Sequence, residues 1–245
     1  SFSRELCLLL NASGCIAVSG GLEVASDRLL KLINKGITVA QVAKVCRNFS
    51  EAGIMVHAYL MYGFPTQTEQ ETIDSLEMVR QLFETGVLQS AFWHLFTMTA
   101  HSPVGLEPEK FQVRKKVKTT GTFANNDIPH EDPSGADHEQ FGFGLRKALL
   151  NYMHGTCFGH ALQRWFDFPV PKTTVSPGFI HAAINEPEPL PASNSRYVFI
   201  GKMPDTEIVR KSKKGQSWEV LSMRFHTTGA AHTINTEPAK GEWLL

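Results

Sequence analysis

The stretch Gly53–Glu71, GIMVHAYLMYGFPTQTEQE, decides the fold. Its apolar run Ile54–Tyr62 is typical of a β-strand, and the Gly63-Phe64-Pro65 sequence that follows predicts a turn. Thr68 with Glu71 three residues later has the pattern of a capping box, which marks the beginning of a helix. Ligands of α/β proteins bind where parallel strands end and helices begin. The stretch is therefore a candidate binding rim.

A second unit of the same kind lies upstream. The apolar run Cys15–Ser19 is of the kind found in strands buried on both faces, and Gly20-Gly21 is expected to end it. Ser26 is placed to cap the next helix and to hold a carboxylate or phosphate, and Glu23 can accept hydrogen bonds from ribose hydroxyls. Taken alone, an ordinary strand-to-helix turn explains these residues better than a ligand site does.

The order of elements predicts a parallel sheet. Thr38 with Gln41 forms another capping box ahead of a helix, and the apolar run Val87–Met98 predicts a third strand. Helical crossovers of this length join parallel strands with right-handed connections. We therefore predict an α/β layer in the first hundred residues, in which the two turns face each other across one rim.

The composition and the residue pattern of the sequence change after residue 105. We expect an ordered loop or a crossing linker over Thr119–Asp137, and a helical stretch over Phe141–Phe168 that Asp137 caps. Pro169–Pro191 is expected to be irregular, and the alternating runs YVFIG and SWEVLSMRF predict antiparallel strands. The predicted segments are 1–105, 106–195 and 196–245.

Composition and charge narrow the class of protein. Lys plus Arg and Asp plus Glu both number 24, so the formal charge is zero and gives no drive toward nucleic acid or an anionic membrane. No apolar run reaches the roughly 20 residues of a membrane-spanning helix. The basic stretches Lys110–Lys118 and Arg210–Lys214 lack interleaved aromatic residues and are expected to be solvated surface. Four scattered cysteines indicate free thiols, and we expect a cytoplasmic protein.

Several histidines are weak candidates for chemistry. His57, His94 and His101 lie on or just after the later strands, where a histidine is more often a satisfied core residue than a catalyst. His57 could point into a barrel or toward covering helices. His130 and His138 lie in an acidic loop without an established metal-ligand spacing, so a solvated loop explains them. A complete hydrolase is disfavoured because no Gly-x-Ser-x-Gly elbow is present.

Two stretches together resemble a known family. GLEVASDRLLKLINKG at residues 21–36, followed by AGIMVHAYLMYGFPTQTEQE at residues 52–71, resembles the second half of the radical S-adenosylmethionine (radical SAM) core. The likeness is strongest to its cobalamin-binding and methylthiotransferase-like branch, where one strand ends in a GLES-G-S-D-like turn and the next in GFPGET. It covers about Glu5–Gly105. FGFGLRKALLNYMHG, at residues 141–155, is also similar to a C-terminal extension of some cobalamin-type members.

The resemblance implies a fold and a cofactor. Members have a partial (β/α)6 TIM-like barrel, in which a 4Fe–4S cluster cleaves S-adenosylmethionine to a 5′-deoxyadenosyl radical. By position, Glu23 and Ser26 would contact the ribose and methionine part of that cofactor, and Gly63-Phe64-Pro65 would line its adenine side. Lys35 stands where the family often has a basic residue, with a role left open. A methyl transfer with cobalamin is a possible chemistry, on a substrate that the sequence does not identify.

The sequence also departs from the family. Val24-Ala25 replaces the usual Ser-Gly, and Thr66-Gln67 replaces Gly-Glu. The CxxxCxxC motif that supplies three thiolates to the cluster is absent, and the four cysteines are spaced in no such pattern. We therefore expect the C-terminal half of a radical SAM core with an α+β extension, a truncated product that lacks the N-terminal half of the barrel.

Three expectations follow from this interpretation of the sequence. The chain alone should bind no cluster and be inactive, and its first strand should form an exposed apolar edge. The alternative is an α/β module that uses the two turns to bind a nucleotide without redox chemistry.

Overall fold

The computed structural model describes residues 2–116, 126–133, 136–187, 203–213, 215–227 and 230–244. Its α-helices are α1 (Arg4–Ala12), α2 (Asp27–Leu32), α3 (Val39–Glu51), α4 (Glu69–Glu84), α5 (Pro103–Leu106), α6 (Phe141–Met153), α7 (Phe179–Asn185) and α8 (Pro238–Leu244). Its strands are β1 (Ala17–Glu23), β2 (Met55–Tyr62), β3 (Ser90–Leu95), β4 (Arg114–Lys115), β5 (His130–Glu131), β6 (Asp205–Lys213), β7 (Gln216–Thr227) and β8 (Ala230–Thr236).

The central element is a three-stranded parallel sheet in the order β1-β2-β3. Both predicted capping boxes are confirmed, at Thr38 for α3 and at Thr68 for α4, and the Ser26 side chain caps α2. These local signals fix where each crossover helix begins. The predicted α/β class with a parallel sheet is therefore confirmed. A barrel arrangement is not shown and stays a proposal.

The two faces of this sheet differ. Alternate residues of β2 are buried, among them Val56, Ala58 and Leu60, because α3 packs against that strand and α6 against its neighbour β3. The residues between them face away from the helices, and Tyr59 is 47% exposed. We call this second surface the open face; its members are Met55, His57, Tyr59 and Met61 of β2 and Ser90, Phe92 and His94 of β3.

Strand β1 corrects one prediction. It was expected to run over Cys15–Ser19, to be buried on both faces and to end at Gly20-Gly21. Instead it extends to Glu23, passes through both glycines, and leaves Ser19 and Gly20 exposed. The reason is its position: it is the outer strand of this sheet and has the open face on one side. The predicted third strand, Val87–Met98, is also shorter, since only Ser90–Leu95 pair with β2.

The later segment differs from its prediction in three places. The helical stretch from Phe141 ends at Met153, where Gly155 takes a positive φ of 68°, and only a short 3-10 turn follows at Leu162–Trp165. Asp137 does not cap that helix, because its N-cap is Gln140, which makes no side-chain cap bond. The expected irregular stretch contains α7. The predicted YVFIG strand lies outside the described residues.

The chain divides into two compact units. One comprises Ser1–Cys7 with Ile16–Glu188 and contains the parallel sheet, and the other comprises Leu8–Cys15 with Pro189–Leu245. The second unit contains an antiparallel sheet in the order β6-β7-β8, which confirms antiparallel strands in this region. Helix α8 packs on β7, where Gly241 leaves room for Leu221. None of the helices in the described ranges is long and apolar enough to cross a membrane.

Candidate functional site

The strand β1 ends in a strained, charged turn. Glu23 has a φ of 57°, a left-handed conformation that is uncommon for a residue with a Cβ atom. Its carboxylate folds back over Gly21, where any Cβ atom would overlap the Glu23 Oε1 atom. The same oxygen accepts a hydrogen bond of 2.8 Å from the Lys35 Nζ atom. The absence of a side chain at Gly21 therefore makes room for a Glu23–Lys35 ion pair.

This ion pair lies at the open face. Gly21 is the register partner of Tyr59, and register partners on neighbouring strands present their side chains to the same face. The Glu23 and Lys35 side chains remain 24% and 34% exposed, so both charges are accessible to a ligand. Lys35, whose role the sequence left open, is thus the partner of the predicted site residue Glu23.

Ser26 joins the two predicted turns. Its hydroxyl accepts from the backbone N–H of Leu29 as the cap of α2 and donates to the Glu71 carboxylate at 3.1 Å. Arg28 binds both Glu71 oxygens at 2.7 Å, and it also donates to the Thr66 side chain and carbonyl at 3.1 and 3.0 Å. The turn after β1 and the turn after β2 are therefore in direct contact at one rim, as the parallel topology predicted.

The Glu71 carboxylate is the centre of that contact. Burial works to raise its pKa, but hydrogen bonds from Arg28, the Thr68 backbone and Ser26 outweigh this and hold the pKa below its ordinary value. The carboxylate is thus charged in the folded protein at neutral pH. Its Ser26 contact uses the hydroxyl that was predicted to face the cofactor, so in this structure Ser26 connects the two turns.

The turn after β2 is packed inside the protein. Gly63 has a φ of 77°, and a Cβ atom there would lie 2.7 Å from the Leu95 Cδ1 atom and 3.1 Å from the His138 Cβ atom. Phe64 is 4% exposed and contacts the rings of Phe96 and Phe111 edge-on. Pro65 is buried as well. The Phe64 ring, which was predicted to line the adenine side of the cofactor, therefore belongs to an apolar cluster.

Gln67 was not predicted from the sequence, although its side-chain amide holds this turn together. Its fully buried amide oxygen accepts from the backbone N–H groups of Gly63 and Phe64 at 2.8 and 3.1 Å, and its nitrogen donates to the Thr72 hydroxyl at 3.1 Å. Thr66 beside it has a φ of 66°, where the family pattern has glycine. The sequence signal for this role of Gln67 was the departure of Thr66-Gln67 from the family pattern.

The acidic loop also differs from its prediction as solvated surface. Asp132 accepts from the Thr66 backbone N–H at 2.7 Å, and the buried His138 Nε2 atom donates to the Gln67 carbonyl at 2.9 Å. Burial lowers the His138 pKa, so the imidazole is neutral. Its Nδ1 atom has no hydrogen-bond partner within the described ranges. The loop therefore braces the turn after β2 from outside the sheet.

The strand histidines lie on the open face. The His57 Nδ1 atom is 2.8 Å from the Ser90 hydroxyl, and its ring meets Tyr59 edge-on at 5.0 Å. His94 stacks on Phe92 with ring centroids 6.4 Å apart. His57 thus points away from the helices, so its predicted orientation toward covering helices is wrong. His101 is exposed beyond the end of β3.

The cysteines do not form a cluster site. Cys7 and Cys46 are buried on helices, and burial raises the pKa of both thiols, to about 12 for Cys46. An iron–sulfur cluster needs three thiolates gathered at one place, and these two buried thiols belong to separate helices. The described part of the chain contains no group of three or more His, Cys, Asp and Glu side chains placed to hold a metal ion.

The site so defined is a charged rim at the carboxyl end of a parallel α/β sheet. Residues 1–79 match the family model described as the radical SAM superfamily. The sequence is 28% identical over 82 residues to an uncharacterised methyltransferase of Pyrococcus horikoshii, a match that covers 34% of this chain and 18% of that protein. It is 26% identical over 113 residues to an uncharacterised protein of Methanopyrus kandleri, covering 44% and 22%.

These matches support the radical SAM superfamily for the part of the chain that contains the rim. The matched region spans about one fifth of each relative's length. What the whole protein does is therefore a matter for proposal.

Proposed function

We propose that this chain supplies the S-adenosylmethionine-binding rim of a radical SAM-type enzyme, with Glu23 and Lys35 holding the methionine end. The observation that carries the proposal is their ion pair, in which a carboxylate and an ammonium lie 2.8 Å apart at the partly exposed end of β1. The match of residues 1–79 to the superfamily supports it.

The Glu23–Lys35 pair has the charges that would bind the ammonium and carboxylate of an amino acid. The methionine part of S-adenosylmethionine carries an ammonium and a carboxylate on one carbon, the charge complement of an adjacent Glu and Lys. A partly exposed ion pair contributes little to stability, so exchanging it for the charges of a ligand costs little. The left-handed backbone of Glu23 fits a residue kept in an unfavourable conformation for a functional reason.

The iron–sulfur cluster does not fit the residues described above. We propose that its three thiolates come from another segment or another chain, which completes a TIM-like barrel, and that this chain alone is inactive. The cluster would supply the electron that cleaves S-adenosylmethionine. We further propose residues 1–105 as the core, with 106–195 as an extension and 196–245 as a β segment. Methyl transfer with cobalamin stays a prediction from the sequence resemblance, and the substrate is unassigned.

Calorimetric titration of the 245-residue chain with S-adenosylmethionine tests the proposal. We expect binding that weakens at least tenfold in Glu23→Gln and in Lys35→Met, since each change removes one charged contact. Lys31→Met is the matched control, because Lys31 is an exposed lysine of α2 outside the pair. Tighter binding of ATP than of S-adenosylmethionine, unaffected by either change, would favour the nucleotide-binding module instead.

A further inference from the structure

The hairpin of β6 and β7 has a cationic end. Residues 208–218 contain four basic residues, Arg210, Lys211, Lys213 and Lys214, and no acidic residue. The sequence alone gave this stretch no binding role, because no aromatic residue is interleaved with the basic ones. The structure changes that conclusion, since it supplies an aromatic side chain from the neighbouring strand.

Strand pairing places a tryptophan beside the lysines. Lys211 is the register partner of Trp218, and Lys213 is the register partner of Gln216. Residues two apart on a strand share a face and lie about 6.6 Å apart, so Lys211, Lys213 and Trp218 form one surface. Both lysines are exposed, and the indole of Trp218 is 44% exposed. We call these three residues the cationic face.

The cationic face carries charges that the fold does not use. Neither Lys211 nor Lys213 has an ion-pair partner within the ranges that the structure describes. Arg210 points to the opposite face, where its register partner is Glu219. At the base of the hairpin the Asp205 carboxylate is already paired with His226 at 2.8 Å. The lysines are therefore available to an anionic partner.

We propose that the cationic face binds single-stranded nucleic acid, with a base stacked on Trp218 and backbone phosphates on Lys211 and Lys213. Flat aromatic side chains beside a cationic track are the common means of binding single strands without sequence preference. An anionic membrane fits less well, because the exposed apolar side chains Ile208 and Ile234 are on the opposite face of the sheet. The proposal is independent of the rim's function.

Fluorescence anisotropy with labelled single-stranded oligouridine and oligothymidine tests the proposal on the full chain. Trp218→Ala is expected to weaken binding about tenfold through lost stacking. Lys211→Glu with Lys213→Glu should abolish detectable binding. Lys211→Ala with Lys213→Ala should reduce the slope of log K against log salt by about 1.4, at roughly 0.7 per phosphate contact. Lys211→Arg with Lys213→Arg should keep the affinity.

The control variant reverses the same number of lysine charges at other sites on the chain. Lys31→Glu with Lys147→Glu changes two exposed lysines of α2 and α6, and we expect this variant to bind within about twofold of the wild type. The proposal is overturned if this control loses as much affinity as the change at the cationic face. It is equally overturned if phosphatidylserine vesicles bind at these lysines while oligonucleotides do not, or if no oligonucleotide binds.

Discussion

The two turns of the rim have similar sequence roles but are held by different interactions. In the turn at Glu23, a half-buried residue in the left-handed conformation forms an ion pair that depends on the missing side chain of Gly21. In the turn at Gly63, Phe64 and Pro65 are buried, and the amide of Gln67 satisfies the backbone N–H groups of Gly63 and Phe64. The difference is that a charged pair holds the first turn, whereas a buried amide holds the second, and on our proposal only the charged pair binds the ligand.

The largest effect is expected in the turn at Gly63. Gly63→Ala adds a Cβ atom at a φ of 77° and within 2.7 Å of Leu95, so we expect a loss of about 2–4 kcal/mol in the free energy of unfolding. Gly86→Ala is the matched control, because Gly86 has a φ of 73° with no atom within 4 Å of the added carbon. It should lose about 1 kcal/mol in urea denaturation. Equal losses would show that packing at Gly63 is unimportant.

The next effect concerns the amide that holds this turn. Gln67→Leu keeps the volume but leaves the N–H groups of Gly63 and Phe64 without an acceptor, and we expect a loss of about 2–3 kcal/mol by urea denaturation. Gln67→Glu restores an acceptor at the same place and should lose less. A Gln67→Leu variant as stable as the wild type would mean that the turn is held by its apolar contacts alone.

The contact between the two turns should make the stability of the folded chain depend on pH in the acid range. Because the pKa of Glu71 is lowered on folding, the stability it contributes is present above its ordinary pKa, near 4.5, and is lost as the pH falls through the lower folded value. Arg28→Gln removes the strongest hydrogen bonds, so the loss of melting temperature between pH 7 and pH 3 should shrink. Arg4→Gln, in a looser pair with Glu51 at 3.5 Å, should keep the wild-type pH dependence.

The smallest effect on stability is expected at the charged turn, with the opposite sign. Glu23→Gly relieves a left-handed residue of its Cβ atom, and we expect a gain of about 0.5–1 kcal/mol in the free energy of unfolding. Glu23→Ala keeps the strain and serves as the comparison. If Glu23→Gly destabilises the chain as Gly63→Ala does, the two turns are not different in kind.

Local signals in the sequence predicted the elements well, and long-range contacts account for what was missed. The capping boxes at Thr38 and Thr68 lie within four residues, so they could be read directly. The extent of β1 could not be predicted in this way, because the exposure of its residues depends on which strands lie beside it. The bond between His138 and Gln67 joins residues 71 apart. Lys211 and Trp218 similarly meet only through strand pairing.

The central claim is that Glu23 and Lys35 recognise the amino-acid part of S-adenosylmethionine. Titrating the wild type, Glu23→Gln and Lys35→Met with S-adenosylmethionine and with methylthioadenosine, which lacks the amino-acid group, tests it most directly. We predict that both variants lose at least tenfold in affinity for S-adenosylmethionine and keep their affinity for methylthioadenosine within about twofold. Equal losses for the two ligands, or no loss for either, would contradict the claim.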